Sequence, residues 1–165
     1  MTDTSTLQTG RFALPRPQKL TLRNFSLYDN ASVIEAEFID GVFCLAGANG
    51  LGKSTFLAAL NYAITGIVPD PNRRFESTAE YYRKSQSYSA EFFRGRIEEA
   101  DSETAQVELE MLVGTSRYRI VRGMFDPIAL REVEVWSSDG TQILHEADLS
   151  ADDSERHSAY EKAIT

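Results

Sequence analysis

The residues with the clearest chemical potential form a short glycine-rich segment, Gly47–Thr55, of sequence GANGLGKST. Its spacing fits the pattern G-x-x-x-x-G-K-S/T, in which backbone N–H groups of a loop and of the helix that follows enclose a polyphosphate. Lys53 is expected to bind β- and γ-phosphate oxygens, and the Ser54 hydroxyl is expected to coordinate Mg²⁺. The predicted nucleotide-binding residues are Gly47, Ala48, Asn49, Gly50, Leu51, Gly52, Lys53, Ser54 and Thr55.

The segments on either side suit such a loop. The residues just before it, Val42–Ala46, are all apolar, which predicts a central strand covered on both faces. Cys44 in that strand is expected to be buried as a small apolar side chain. After the loop, Thr55–Ile64 carries apolar residues at helical spacing, and Gly66 follows as a stop signal. The sequence therefore predicts a strand, a phosphate loop and a helix in direct succession.

Further strands are predicted where apolar and polar residues alternate. They fall at Lys19–Phe25, Val33–Phe38, Thr104–Val113, Arg117–Arg122, Arg131–Trp136 and Thr141–His145. Short turns join the last four into two hairpins, so antiparallel pairs are expected. Residues 68–100 are predicted to form a long connection with one short helix, and another helix is expected from Asp153. The expected fold class is α/β, with a mixed sheet that contains antiparallel strand pairs around a phosphate-loop helix.

The composition favours one soluble globular domain. The chain has 165 residues, of which 42% are hydrophobic, and a net charge of −8. A chain of this length can bury a core without disulfides or a structural metal. One cysteine and two histidines exclude a disulfide framework and a four-ligand zinc site built from these residue types. The histidines, His145 and His157, are expected at the surface.

The amino-terminal residues have neither a signal-peptide pattern nor a core-forming pattern. Residues 1–17 are Thr-rich and contain Pro15 and Pro17, so they are expected to form a flexible leader. The chain also has no apolar run as long as a membrane helix requires. The expected location is therefore the cytoplasm.

Charge is distributed unevenly along the chain. Residues 71–96 carry six Lys and Arg against three acidic residues, whereas residues 97–165 carry six against sixteen. The overall acidity argues against the whole surface binding a duplex. The basic segment 73–96, with Tyr81 and Tyr82, has two interpretations: it stacks on single-stranded bases, or it packs over the edge of the sheet. The sequence leaves both open.

One acidic residue that ATP hydrolysis needs is missing. P-loop ATPases use a second acid, normally an Asp at the end of another apolar strand, to hold the water shell of Mg²⁺. None of the later predicted strands leads from a run of four apolar residues into Asp-Glu or Asp-Asp. The acidic group near the last predicted helix is interpreted as favourable negative charge at a helix start. It comprises Asp148, Asp152, Asp153 and Glu155. The sequence therefore predicts phosphate binding and does not support complete hydrolysis.

Four stretches of the chain together resemble a known family. They are Leu20–Phe25 (LTLRNF), Gly47–Thr55, Leu57–Gly66 (LAALNYAITG) and Arg117–Arg122 (RYRIVR). Each is similar to a segment in the amino-terminal half of the ATPase head of SMC, RecF and SbcC-type proteins, and the likeness covers residues 18–125. The resemblance implies an ABC-ATPase-like P-loop fold. It makes residues 18–165 the amino-terminal lobe of a head, ending before the glutamine loop.

The resemblance also implies how such a head is assembled. In this family the carboxy-terminal lobe supplies the acidic Mg²⁺ ligand, the catalytic glutamate and a Ser-Gly-Gly signature that caps ATP on a partner head. This chain would then contain no catalytic residue and would be an ATPase only when that lobe completes it. Arg23 and Asn24 are implied as further nucleotide-binding residues. Arg94, in the sequence Phe-Arg-Gly, is implied as an arginine near the nucleotide.

The cofactors implied by the resemblance are ATP and Mg²⁺. The implied partners are the missing carboxy-terminal lobe, a second head in a homodimer, DNA, and an accessory nuclease or defence subunit, with no membrane. In a bacterium the expected location is the nucleoid. The sequence does not separate DNA repair, chromosome maintenance and phage defence.

Two other functions would use the same loop. A complete small kinase or GTPase-like enzyme alternates strands with helices around a parallel sheet, and the predicted antiparallel pairs count against it. A transporter-type ATPase subunit shares the loop chemistry and would need a membrane partner. Both are kept as alternatives to an ATPase head lobe.

Overall fold

The computed structural model describes residues 13–28, 32–38, 43–72, 74, 77–125, 129–144 and 152–164. Within these ranges the strands and α-helices follow one another in a simple order. They are β1 (Arg16–Arg23), β2 (Val33–Glu37), α1 (Lys53–Thr65), α2 (Thr78–Arg94), β3 (Gln106–Val113), β4 (Ser116–Gly123), β5 (Leu130–Trp136), β6 (Gln142–Leu144) and α3 (Asp153–Ile164). A short 3-10 turn, Glu99–Asp101, precedes β3.

The strands form one sheet in the order β2-β1-β3-β4-β5-β6, and every pairing between neighbours in it is antiparallel. Side chains alternate between the two faces of each strand, so residues opposite one another across the sheet share a face. One such row is apolar across five strands: Ala36, Leu20, Leu109, Ile120 and Val133. The alternation seen in the sequence thus creates one apolar face that a helix can cover.

Helix α1 packs on the centre of that face. Its buried positions Ala59, Tyr62 and Ala63 point at the sheet, and the two alanines let the helix approach closely. The Tyr62 hydroxyl donates a hydrogen bond to the Gly123 carbonyl at the end of β4, at 2.6 Å. The helix ends at Gly66, whose φ of +75° is a conformation that glycine adopts without strain. The predicted helix after the loop is therefore confirmed, with α1 starting two residues before Thr55.

Helix α2 is much longer than the short helix expected between residues 68 and 100, because it covers 17 residues. Its many serines and tyrosines are weak helix formers, so helix propensity does not predict its full length. A capping signal at its start was available: the Ser77 side chain accepts a hydrogen bond from the Glu80 N–H at 3.2 Å. At its other end Phe93 is fully buried, with its ring 5.0 Å from that of Tyr62.

The central strand predicted at Val42–Ala46 is wrong for the residues described. Residues 43–48 have no strand structure and are exposed. Phe43 is 54% and Leu45 is 44% exposed, and the Phe43 ring contacts Phe38 beyond the end of β2. Cys44 is an exposed free thiol, so its predicted burial is also wrong. The physical reason is that a strand needs neighbours, and no described strand pairs with this segment.

Helix α3 confirms the helix expected from Asp153. The Asp152 carboxylate accepts a hydrogen bond from the Glu155 N–H at 3.1 Å, so it acts as the negative cap that the acidic group suggested. The Tyr160 hydroxyl donates to the Ile64 carbonyl of α1 at 2.8 Å. His145 and Asp148 lie outside the described residues, as do the side chains of Asp153 and His157.

The expected leader overlaps the first strand. Residues 1–12 lie outside the described residues, but Arg16 and Pro17 already pair with Leu112 and Met111 of β3. Among the helices that the structure describes, none has the length and apolar character needed to cross a membrane.

The aromatic contact between α1 and α2 makes a prediction about stability. Phe93→Ala should lower the free energy of unfolding by about 3–5 kcal/mol, because it leaves a cavity between Tyr62 and Phe25. Leu57→Ala is the control, since Leu57 is 56% exposed on the outer side of α1 and should change stability by less than about 0.5 kcal/mol. Urea denaturation measures both. Equal losses would show that α2 does not pack on α1 as described.

Candidate nucleotide-binding site

The loop Gly47–Thr55 turns directly into α1, and its glycines make that turn possible. Gly50 and Gly52 have φ of +87° and +78°, values that residues with a Cβ rarely adopt. Gly52 is the N-cap of α1, and its carbonyl accepts the first helical hydrogen bond, from the Phe56 N–H at 2.9 Å. Alternating backbone conformations of this kind bring successive N–H groups together around an anion. The loop therefore has two glycines in the left-handed backbone region immediately before a helix start.

Lys53 lies back across the loop. Its ammonium donates to the carbonyls of Gly47 and Ala48, both at 2.6 Å. An ammonium has three N–H donors, so one further donor is available beyond these two bonds. The contact keeps a positive charge on the loop that leads into the start of α1, and a helix start favours an anion. The positive charge and the helix start thus belong to one continuous segment of the chain.

Ser54 and Thr55 occupy different environments at the start of α1. Ser54 is exposed, whereas Thr55 is 7% exposed beneath the loop. The first turn of α1 carries no acidic residue. Among the residues the structure describes, no group of three or more His, Cys, Asp or Glu is arranged to hold a metal. The site therefore suits a polyphosphate and offers one hydroxyl, that of Ser54, to Mg²⁺, which usually also takes one or two carboxylates.

The other predicted loop residues lie at the surface around this turn. Ala48, Asn49, Gly50 and Leu51 are exposed, and Leu51 is 63% exposed despite being apolar. The structure thus brings the predicted residues together in one loop. Their binding of a nucleotide stays a prediction.

Arg23 and Asn24, the further nucleotide-binding residues implied by resemblance, lie at the end of β1. The Arg23 guanidinium is 3.6 Å from the Glu108 carboxylate, on the face of the sheet away from α1. Glu108 also binds Arg119, so Arg23 is part of a charged network on that face. Asn24 has a φ of +50°, and its N–H donates to the Ser32 carbonyl at 2.8 Å. Their contact with a nucleotide stays a prediction.

An arginine that the sequence patterns did not single out reaches the loop helix. The predicted Arg94 lies with its guanidinium 5.4 Å from the ring centre of Phe125. Arg96 instead donates from Nε to the Thr55 hydroxyl at 3.3 Å. Its Nη1 donates to the Phe92 carbonyl at 2.5 Å, and its guanidinium stacks 3.8 Å from the Phe92 ring centre. The end of α2 at Gly95 turns Arg96 toward α1, and a sequence signal for that turn was the glycine itself.

A tyrosine that the sequence patterns also missed touches the loop. The Tyr28 hydroxyl donates to the Gly52 carbonyl at 2.8 Å. Burial raises the pKa of the Tyr28 phenol, with a smaller opposing effect from the nearby Phe56 N–H. The phenol is therefore protonated at neutral pH and able to donate. No local pattern marks this residue, because the contact joins positions 24 residues apart.

The basic segment borders a separate surface groove. This groove has a volume of about 400 Å³ and combines both signs of charge with one aromatic ring. It is lined by Asp70, Asn72, Arg83, Lys84, Ser87, Tyr88 and Glu91. Arg73 and the side chain of Tyr82 lie outside the described residues. Whether the segment meets DNA stays open, because acidic residues share the groove with the basic ones.

The chain is similar to a known protein family and to a curated protein. A family model described as AAA domain matches residues 19–161. A protein of Treponema pallidum (strain Nichols), named as the SbcC subunit of the nuclease SbcCD, is 28% identical over 119 residues. That alignment covers 72% of this chain and 10% of the relative, so the chain spans about a tenth of the relative's length.

Two of the positive-φ glycines, Gly50 and Gly52, allow a matched prediction. Gly50→Ala should lower the free energy of unfolding by about 1–2 kcal/mol, because of backbone strain alone. The new methyl group would meet no other atom within 4 Å. In Gly52→Ala the methyl would lie 2.8 Å from the Tyr28 ring, so the ring must move and its hydrogen bond to the Gly52 carbonyl should weaken. We expect Gly52→Ala to lower the free energy of unfolding by about 1 kcal/mol more than Gly50→Ala does, as measured by urea denaturation. A smaller loss for Gly52→Ala than for Gly50→Ala would contradict the contact.

Proposed function

The chain belongs to the AAA domain family, and from this membership we propose that it binds ATP with Mg²⁺ through the loop Gly47–Thr55. The resemblance to SMC, RecF and SbcC-type ATPase heads is confirmed, and so is the α/β P-loop fold class. The observation that carries the proposal is the position of Lys53 across the loop, next to the helix start. A compact cation on a glycine-rich loop that leads into a helix start suits the β- and γ-phosphates of a nucleotide.

In the proposed site each described residue binds or orients. The loop N–H groups and Lys53 hold the phosphates, Ser54 gives one oxygen to Mg²⁺, and Arg96 holds the Thr55 hydroxyl. Mg-ATP, when bound, supplies a phosphoanhydride bond that water can cleave. None of these residues is placed to act as a general base, since Lys, Arg and Ser carry no basic group at neutral pH. We therefore propose that hydrolysis needs acids from elsewhere.

We propose that a carboxy-terminal head lobe supplies those acids and covers the exposed segment before the loop. The support lies in residues 43–46, which are apolar and have no strand partner among the described residues. Phe43, Leu45 and Leu51 expose apolar surface close to the loop, and a partnering strand would remove it from water. The predicted central strand at Val42–Ala46 would then form on assembly.

We further propose that the assembled heads pair around two ATP molecules and act on DNA. The relative from Treponema pallidum (strain Nichols) is named as a nuclease subunit, which supports work in a DNA-associated nuclease complex with an accessory nuclease partner. The location proposed for such work is the cytoplasm, at the nucleoid. Repair, chromosome maintenance and phage defence are different settings for this one activity.

The alternative of a complete small kinase or GTPase-like enzyme has less support. Such enzymes order strands and helices around a parallel sheet. Here the described sheet has antiparallel neighbours throughout, and β3 to β6 follow one another without a helix between them. Competition binding distinguishes the two, because a clear preference for GTP or a nucleoside monophosphate over ATP would favour the kinase or GTPase.

The first prediction for this site concerns Lys53. Lys53→Ala should weaken Mg-ATP binding at least tenfold in calorimetry, because a hydrogen-bonded charge on the phosphates is lost. Lys84→Ala is the matched control, since Lys84 is another half-exposed lysine and pairs with Glu80 on α2. Its affinity should equal that of the unchanged chain. Equal binding by Lys53→Ala and the unchanged chain would refute the proposed function.

The proposal that hydrolysis needs acids from a carboxy-terminal lobe has its own test. The chain alone should hydrolyse no ATP above background in a phosphate-release assay, because in this proposal the acids that hydrolysis needs come from the carboxy-terminal lobe. If the chain alone hydrolyses ATP and Lys53→Ala abolishes this turnover, the need for acids from another lobe is refuted. The proposal of ATP binding would still stand.

A further prediction concerns the two arginines near the end of α2. Arg96→Ala should raise the Kd for Mg-ATP about 3–10-fold, because it removes the guanidinium that contacts Thr55. Arg94→Ala is expected to leave the Kd unchanged, since Arg94 contacts Phe125. Calorimetry measures the Kd for Mg-ATP of both variants. If Arg94 is instead the arginine near the nucleotide, the order of the two effects reverses.

A further inference from the structure

The turn that follows β1, residues 24–28, is held in place by a buried aromatic ring and by hydrogen bonds. Phe25 is 2% exposed, and its ring contacts those of Phe93 and Tyr28. The Ser26 hydroxyl donates to the Asp101 carboxylate at 2.9 Å and accepts the Glu98 N–H at 3.0 Å. The turn is therefore tied both to the core and to the segment that leads into β3. A side chain that it projects has a well-defined position.

Tyr28 is the side chain that this turn places on the phosphate loop. Its hydroxyl donates to the Gly52 carbonyl at 2.8 Å, and the Phe56 N–H donates to the same oxygen at 2.9 Å. The fit is close, because a Cβ built on Gly52 would lie 2.8 Å from the Tyr28 Cε1 and 3.1 Å from its hydroxyl oxygen. Two donors on one carbonyl hold this peptide group more firmly than the helical bond alone.

Fixing the Gly52 carbonyl also fixes the N–H of Lys53. The two groups belong to one planar trans peptide, in which C=O and N–H point in opposite directions. With the carbonyl directed toward Tyr28 and along α1, the Lys53 N–H is directed back out of the helix start. It is among the first N–H groups of α1, which have no partner within the helix and are available to an anion.

We propose that Tyr28 is a positioning residue for phosphate binding, which acts by orienting the Gly52–Lys53 peptide. The inference rests on the proposed function, since it concerns the same loop. It adds a residue outside the glycine-rich motif and predicts that the hydroxyl, rather than the ring, sets the affinity for the polyphosphate. The ring alone fills space against Gly52, whereas the hydroxyl makes the directional bond.

Tyr28→Phe tests this inference, because it keeps the ring and removes the hydroxyl. The Kd values for Mg-ATP and for inorganic tripolyphosphate should both rise by about 2–10-fold in calorimetry, the value of one hydrogen bond. Both ligands should respond alike, since the loop contacts only phosphate. The control is Tyr160→Phe, which removes another hydroxyl bond of 2.8 Å to a carbonyl of α1, that of Ile64 at the far end of the helix. Its Kd values should not change.

A second measurement needs no ligand. The NMR order parameter of the Lys53 amide should fall in Tyr28→Phe and stay constant in Tyr160→Phe, because only the first variant frees the Gly52–Lys53 peptide. An unchanged order parameter together with unchanged Kd values would overturn the inference.

The remaining outcomes are also decisive. Equal weakening in both tyrosine variants would show a general loss of stability and would overturn the inference. Weaker binding of ATP with unchanged binding of tripolyphosphate would place Tyr28 at the base or sugar and would overturn it as well. The two proposals can fail separately. If Lys53→Ala binds Mg-ATP as tightly as the unchanged chain, nucleotide binding at the loop is refuted. If Lys53→Ala binds weakly while Tyr28→Phe keeps full affinity, only the role of Tyr28 is refuted.

Discussion

The left-handed turn at Gly52 is the constraint on which the site depends. The chain must leave an exposed loop and start a helix within one residue, and a φ of +78° achieves this reversal only where no Cβ interferes. The same position must receive the Tyr28 ring from outside. A side chain at residue 52 would therefore oppose both the backbone turn and the contact that holds it. Helix start, loop shape and the direction of the N–H groups all follow from this one glycine.

Helix α1 carries the consequences of that turn into the core. Its alanines and Tyr62 press on the apolar face of the sheet, so the start of the helix cannot shift without moving buried groups. Segments distant in sequence then reach the loop from two sides. Tyr28 comes from the turn after β1, and Arg96 comes from the end of α2. The Ser26–Asp101 bond joins these two sides to each other, so the loop rests in a connected frame.

Much of this architecture follows from local patterns, and the exceptions have physical causes. Alternation predicted five of the six strands closely, and the spacing of glycines and Lys53 predicted the loop. The strand at Val42–Ala46 was wrong because composition shows what a strand would bury and not whether a neighbour is present. Helix α2 was underestimated because its stability comes from Phe93 in the core rather than from propensity. Tyr28 and Arg96 were missed because their contacts are set by tertiary packing, to which no spacing rule applies.

The proposed binding of ATP by an acidic chain needs a local explanation, since a net charge of −8 would repel ATP at long range. Salt limits that repulsion, because exposed charges more than about 8 Å apart are largely screened at physiological ionic strength. Inside that distance the loop presents Lys53 and the helix N–H groups, and the first turn of α1 contains no acid. The acidic residues are concentrated in the later part of the chain, in residues 97–165, where Arg119 offsets part of the charge of Glu108, Glu132 and Glu134. In the proposed site, short-range donors would therefore dominate the affinity of the loop, and the overall charge would mainly slow the arrival of a nucleotide.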